Sequence, residues 1–128
     1  MWWNVAAVGV GASAGALLRW GLGSVFAKTL PWLVVGTLAA NWLGGLLIGI
    51  IAALTEWFPH LSPQWRLLLV TGFLGGLTTF SGFSLEVAAL IQQQRWLVAL
   101  AVISLHVVGS VAMTLLGMAL VQWLKYSG

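Results

Sequence analysis

The chain has 128 residues, of which 61% are hydrophobic and 5% are charged, and it contains no cysteine. Soluble domains carry about a quarter charged residues, so this chain has too few charges to cover a surface that faces water. Its five basic residues are scattered singly, which argues against a nucleic-acid interface. The lack of cysteine excludes disulfides and thiolate metal sites. The composition therefore indicates an integral membrane protein.

A helix needs about 20 mostly apolar residues to cross a bilayer, and four segments of the sequence meet this requirement. We predict an all-α membrane protein with a single four-helix transmembrane domain over residues 1–128. The predicted spans cover residues at about 4–26, 33–54, 66–91 and 96–123. The first span lacks a preceding Lys or Arg, so we expect it to be retained rather than cleaved as a signal peptide.

The first predicted span carries Gly11, Gly15 and Arg19 at intervals of four residues, which places them on one helical face. Glycines at this spacing let helix backbones approach closely in lipid. Arg19 therefore points toward a protein neighbour. It either extends to the membrane interface or lies at a pore mouth.

The second predicted span contains Asn41, close to Gly44 and Gly45. Polar side chains inside a membrane are costly and are candidates for function. The amide of Asn41 has two N–H donors that could bind an anion.

The third predicted span contains the sequence TGFLGGLTTFSGFSLE, from Thr71 to Glu86. Nine of the fourteen residues from Thr71 to Ser84 are glycine or carry a hydroxyl group. Each glycine costs about 1 kcal/mol of helix propensity relative to alanine, so the adjacent pair Gly75–Gly76 favours a break in mid-membrane over a glycine-rich packing face. Non-helical backbone at that depth must be buried in protein or line a cavity, and its free carbonyls can coordinate small cations.

Phe80 and Phe83 follow the predicted break at a helical spacing, with Ser81 and Ser84 on the adjoining face. The edge of a phenyl ring is electrically positive, so ring edges could line an anion path without a fixed cation. Core filling or exposure to lipid is the alternative for both rings. The hydroxyl groups around them favour the anion path.

The fourth predicted span carries His106, Ser110 and Thr114 as a polar stripe with a spacing of four residues. Such hydroxyl groups often bond to their own helix, and an interhelical hydrogen bond explains His106 as well as a pore role does. Glu86 is the one acid within a predicted span. It could pair with Arg19, accept hydrogen bonds from hydroxyl groups, or titrate in a proton pathway.

The loop charges give no preferred orientation. Lys28 and Arg95 fall on one side of the membrane, and Arg66 and Lys125 fall on the other. The positive-inside rule cannot choose between such equal sides. The balance favours a dual-topology protein that pairs with an inverted copy of itself. Because four short helices leave little lumen, we expect an aqueous path to need this partner.

The sequence gives no support for an enzyme, because it lacks an acid pair, metal-ligand spacing, a nucleophile–base arrangement and a phosphate-binding loop.

Taken together, these motifs resemble the CrcB/Fluc family of fluoride channels over essentially the full chain. The matching segments are Gly11-x-x-x-Gly15-x-x-x-Arg19-Trp20, Gly36-Thr37-Leu38-x-x-Asn41, the stretch from Thr71 to Glu86, and Gly109-Ser110 with Thr114. Gly82 departs from the pattern, because many relatives carry a hydroxyl residue there, and it is left out of the expected site.

The resemblance implies a passive fluoride-selective channel that lowers fluoride toxicity. It implies an antiparallel dual-topology homodimer in the bacterial inner membrane, with lipid, fluoride and a second copy of the chain as partners. Two fluoride pathways would flank a central structural Na⁺, held by the backbone carbonyls of Gly75 and Thr78 from each subunit. Arg19 would lie toward the vestibule. The expected pathway residues, with His106 added from the polar stripe, are Thr37, Asn41, Phe80, Ser81, Phe83, Ser84, Glu86, His106, Ser110 and Thr114.

Two other functions fit the length and the number of spans. A small dual-topology multidrug or cation exporter would need an acid inside the membrane, usually in the first span, where this chain has Arg19 and no acid. A membrane assembly subunit without transport of its own would tolerate Asn41→Asp and Phe80→Ile with no loss of fluoride tolerance.

Overall fold

The computed structural model describes all 128 residues, and it is helical apart from its loops and one isolated bridge between Leu30 and Leu33. A π-helical segment at Leu67–Leu74 joins the third helix to the fourth. The helices are α1 (Trp2–Val25), α2 (Val35–Trp57), α3 (Pro63–Arg66), α4 (Gly75–Leu77), α5 (Phe80–Gln92) and α6 (Trp96–Ser127). The predicted all-α class is confirmed.

Four stretches are long and apolar enough to cross a membrane: α1, α2, the run Pro63–Gln92, and α6. The shortest has 23 residues, which at about 1.5 Å per residue exceeds the roughly 30 Å of a hydrocarbon core. The prediction of four spans is confirmed. The helix α6 continues to Ser127, beyond the predicted span end near residue 123.

Glycines let the helices pack in two close pairs. On α1, a side chain at Gly15 would collide with the backbone of Phe73 and Leu77, so this helix lies directly against the π-helical segment and α4. On α2, a side chain at Gly49 would collide with the Thr114 backbone of α6. Small residues permit such backbone contacts in lipid, where packing rather than the exclusion of water holds helices together.

Halfway along the third span, two consecutive residues leave helical geometry. Thr78 has φ −86° and ψ 152°, and Thr79 has φ −145° and ψ 120°, so both are extended. The helix α5 begins immediately after them. Its first turn is capped by Thr79, whose hydroxyl accepts a hydrogen bond from the backbone N–H of Gly82 at 3.1 Å.

Two small apolar clusters flank this extended pair. One lies on the α5 side and the other on the α4 side. Their buried members are Leu33, Leu38, Phe83, Leu90, Ala99 and Val102 in the first cluster, and Ala40, Leu74 and Leu77 in the second. Only 20 of the 128 residues are buried, and many large apolar side chains are exposed, which suits helices surrounded by lipid.

Candidate functional site

Asn41 of α2 contacts the extended residue Thr79 with both ends of its amide. Its Oδ1 accepts a hydrogen bond from the Thr79 backbone N–H at 2.8 Å, and its Nδ2 donates to the Thr79 carbonyl at 3.0 Å. An unpaired buried backbone group costs about 1–3 kcal/mol. Asn41 therefore replaces both backbone hydrogen bonds that Thr79 does not make within a helix.

The same amide reaches α6. Asn41 Nδ2 lies 3.1 Å from Nδ1 of His106, a side chain that is only 4% exposed. The His106 ring stacks on Phe83, with centroids 4.5 Å apart and an interplanar angle of 29°. One side chain of α2 thus links the extended segment to the aromatic residues of α5 and α6.

The two predicted phenyl rings touch edge to face. Their centroids are 5.5 Å apart and the interplanar angle is 76°. Their environments differ, because Phe83 is 9% exposed within one apolar cluster while Phe80 is 77% exposed. In an edge-to-face pair the positive edge of one ring points at the negative face of the other.

These side chains border a cavity of about 500 Å³ between α2, the third span and α6, referred to below as the central cavity. Seven of the residues predicted for the ion sites line it: Asn41, Gly75, Thr78, Phe80, Phe83, His106 and Ser110. Their convergence from three spans makes this cavity the candidate functional site.

Two other predicted pathway residues lie in a different place. Thr37 and Glu86 line a second cavity of about 710 Å³ by the loop between α1 and α2, together with Lys28 and Arg95. The Val34 backbone N–H donates to Glu86 Oε2 at 3.2 Å, whereas Oε1 is buried without a partner. From the sequence, Lys28 and Arg95 were used only to assess membrane orientation. In the structure they border the same cavity as the Glu86 carboxylate.

The remaining hydroxyl residues line neither cavity. Thr114 donates to the carbonyls of Gly45 at 2.9 Å and Ser110 at 3.1 Å, so its hydroxyl joins α6 to α2. The Ser81 hydroxyl lies 3.2 Å from that of Thr79, and Ser84 is exposed on the outer face of α5.

Arg19 also lies outside both cavities. Its Nε donates to the Gly76 carbonyl at 3.1 Å, which ties α1 to α4. The pairing with Glu86 that the sequence allowed is absent, because Glu86 accepts its hydrogen bond from Val34 instead.

The carbonyls expected to hold Na⁺ have lost the amide partners of a continuous helix. The N–H of Thr79, four residues after Gly75, donates to Asn41. The N–H of Gly82, four residues after Thr78, donates to the Thr79 hydroxyl. Carbonyl oxygens released in this way are suitable ligands for a small hard cation, so the residues present fit such an ion.

Thr79 was not predicted as a site residue, yet it contacts Asn41 and lines the central cavity. A threonine placed three residues before the backbone amide of Gly82, at the start of a helical pattern, is typical of an N-cap and could have identified it. No local sequence pattern predicts the contact between Thr79 and Asn41, because it depends on how α2 packs against the third span.

Comparison with known proteins places the chain in a family. Residues 6–118 match the model of the CrcB-like protein, Camphor Resistance (CrcB) family. A fluoride-specific ion channel FluC of Chromobacterium violaceum is 53% identical, over 98% of this chain and 99% of the relative. The proteins of the same name in Tolumonas auensis and Chromohalobacter salexigens are each 54% identical, covering 99% and 100% of this chain and 100% and 97% of their own. With most of its length matched, the chain belongs to the CrcB family.

Proposed function

We propose that the chain is a passive fluoride-specific ion channel of the bacterial inner membrane, and not an enzyme. Full-length relatives with this name support the ion. The observation that carries the proposal is the central cavity, where an amide, an imidazole and two phenyl rings converge inside a membrane protein.

The chemistry of this cavity suits a small anion. Fluoride holds its water tightly, so the loss of hydration is the main barrier to its passage. Polar hydrogens and the positive edges of Phe80 and Phe83 can replace that water, and the cavity has no Lys or Arg side chain that would trap the ion. Conduction requires binding that is favourable enough for entry and weak enough for exit.

The functional unit in this proposal is an antiparallel homodimer with two pathways. The equal division of loop charges, two on each side, supports insertion in both orientations. A further support is the outer face of α5, where Ser81 and Ser84 are exposed in the single chain. Polar groups are unfavourable against lipid, so a second copy is the expected cover for this face.

The third span in this proposal is broken at mid-membrane around a structural Na⁺. The extended residues Thr78 and Thr79 lie near the middle of the span, and the Gly75 and Thr78 carbonyls have lost their helical partners. When bound, the cation would supply a positive potential that favours nearby anions. The chain's own part is to hold these carbonyls in place through Asn41 and the Thr79 cap.

Growth of a fluoride-sensitive bacterium that carries the gene tests this function. The wild-type chain should restore growth in fluoride, and Phe80→Ile should abolish the rescue because isoleucine has no positive ring edge. Phe58→Ile, at an exposed loop position away from the central cavity, is the matched control and should rescue fully. Equal rescue by Phe80→Ile and the wild type at equal protein level would contradict the role given to the ring edge. No rescue by the wild-type chain would favour a subunit that does not transport the ion.

A further inference from the structure

Two loops at one end of the spans meet around the second cavity. Lys28 lies between α1 and α2, and Arg95 lies between α5 and α6. Both residues are exposed, and both line this cavity of about 710 Å³. Each of them follows the end of a helix, where a positive charge is favourable. That preference explains each charge singly, but it does not explain why both reach the same cavity.

The one acid of the second cavity is already engaged. Glu86 Oε2 accepts a hydrogen bond from the Val34 N–H at 3.2 Å, and the other carboxylate oxygen is buried. Val34 is the N-cap residue of α2, so the positive end of this helix stabilises the carboxylate. Glu86 forms no ion pair with Lys28 or Arg95. The exposed side of the cavity therefore has an excess of positive charge, which suits an anion.

The rest of the second cavity is apolar and extends deeper into the membrane. Half of the residues that line it are hydrophobic. One of them, Leu85, is 73% exposed and lies about two helical turns before α5 ends. Trp32 also lines the cavity, and tryptophan favours the level of the lipid head groups. The cavity thus combines a basic end at the membrane surface with an apolar end toward the hydrocarbon core.

We propose that the second cavity binds a membrane phospholipid with a net negative charge, such as phosphatidylglycerol. Lys28 and Arg95 bind its phosphate, and one acyl chain lies along Leu85. Basic pockets between transmembrane helices bind anionic head groups, and the guanidinium of arginine fits a phosphate through two parallel hydrogen bonds. A small soluble anion would use the basic end and leave the apolar end unfilled. The inference does not depend on which ion the chain conducts.

Binding of lipid to the purified full-length chain in detergent tests the inference, with native mass spectrometry to count the bound lipids. The wild-type protein should bind one phosphatidylglycerol per chain. It should bind phosphatidylcholine more weakly, because that lipid has the same phosphate but adds a compensating positive charge. Lys28→Gln and Arg95→Gln should each weaken phosphatidylglycerol binding about fivefold. Arg95→Lys keeps the charge and should weaken binding less than Arg95→Gln does.

Arg66→Gln with Lys125→Gln is the matched control for Lys28→Gln with Arg95→Gln. Each pair removes two exposed positive charges and disturbs the balance of loop charges equally, but the control pair lies at the opposite ends of the spans. The control pair should bind phosphatidylglycerol as the wild type does. Lys28→Gln with Arg95→Gln should bind it about 25-fold more weakly, if the two losses add.

Inorganic phosphate distinguishes a lipid site from a site for soluble phosphate. It shares the group that Lys28 and Arg95 recognise, but it has no chain for the apolar end of the cavity. A large excess of phosphate, compared with chloride at the same ionic strength, should therefore leave phosphatidylglycerol bound to the wild-type chain. Displacement of the lipid by phosphate alone would make the cavity a site for soluble anions and would overturn the inference.

Three further results would overturn it. The first is equal binding of phosphatidylglycerol and phosphatidylcholine by the wild type, a comparison that needs no variant and so does not depend on how a variant folds. The second is unchanged binding after loss of both Lys28 and Arg95. The third is an equal loss in the control pair, because binding would then follow net charge rather than this cavity. A chain that fails to conduct fluoride would refute the proposed function and leave these binding results unchanged.

Discussion

Asn41 combines three hydrogen bonds that cannot be made by any smaller or charged replacement. It accepts from Thr79 N–H, donates to the Thr79 carbonyl and donates to His106. All three groups are at least partly buried, so a lost partner leaves a polar atom that neither lipid nor an apolar neighbour can satisfy.

Asn41→Asp should therefore lower both stability and fluoride flux. The carboxylate still accepts from Thr79 N–H but has no hydrogen for the Thr79 carbonyl or for His106. We expect a loss of roughly 2–4 kcal/mol of stability, the scale of an uncompensated buried charge or two lost hydrogen bonds. Thermal unfolding in detergent measures it.

Asn4→Asp is the control for this substitution, because Asn4 is exposed in the first turn of α1. A carboxylate near a helix N-terminus is neutral to slightly favourable. Equal melting temperatures and equal flux for the two variants would contradict the role given to Asn41.

At the scale of elements, the start of α5 depends on the Thr79 cap. Thr79→Val keeps the shape of the side chain and removes the oxygen that accepts from Gly82 N–H. We expect about 1 kcal/mol of destabilisation, as for other lost caps. Thr79→Ser retains the hydroxyl and should be close to wild type. Unfolding curves for the two variants that superimpose would show that the cap contributes nothing.

Close packing of α1 against the third span gives a second prediction at this scale. Gly15→Ala places a Cβ against the Phe73 and Leu77 backbone, which cannot withdraw without moving a helix. Overpacking of this kind costs about 1–3 kcal/mol. Gly9→Ala on the same helix has nothing within 4 Å and should be neutral or stabilising by up to about 1 kcal/mol.

Thermal unfolding of both alanine variants, with the wild type beside them, checks the prediction. A Gly15→Ala protein as stable as Gly9→Ala would mean that α1 is not held against Phe73 and Leu77 as the structure has it.

Periodicity and composition were enough to predict four spans and the placement of Phe80 and Phe83 on one helical face, because both depend on spacing within a helix. They could not predict that Asn41 meets His106, since these residues are 65 positions apart and meet only through the packing of α2 on α6. Nor could they separate Thr37 and Glu86 from the central cavity, because that depends on where the loop after α1 returns. The spacing of polar residues along one helix shows which face of that helix is polar. It does not show which other helix packs against that face.

At the scale of the whole molecule, the balance of loop charges predicts that fluoride tolerance requires chains inserted in both membrane orientations. Lys28→Gln with Arg95→Gln leaves basic loop residues on one side only, and Arg66→Gln with Lys125→Gln leaves them on the other. Each double variant should insert in one orientation and fail to restore fluoride tolerance. Co-expression of the two should restore it, because they form the antiparallel pair together.

Reporter fusions at the C-terminus provide the orientation readout for these variants. Full tolerance from one double variant alone, with all its C-termini on one side, would rule out the antiparallel unit while leaving a fluoride channel possible.

Fluoride efflux from liposomes that contain only the purified chain, followed with a fluoride electrode, is the most direct test of the central claim. With a potassium gradient and an ionophore to carry the compensating charge, wild-type protein should release trapped fluoride rapidly and passively and leave trapped chloride inside. Phe83→Ile should release far less fluoride, since it removes the aromatic edge and the surface on which His106 stacks. Fluoride release from wild-type liposomes no faster than from protein-free ones would contradict the account.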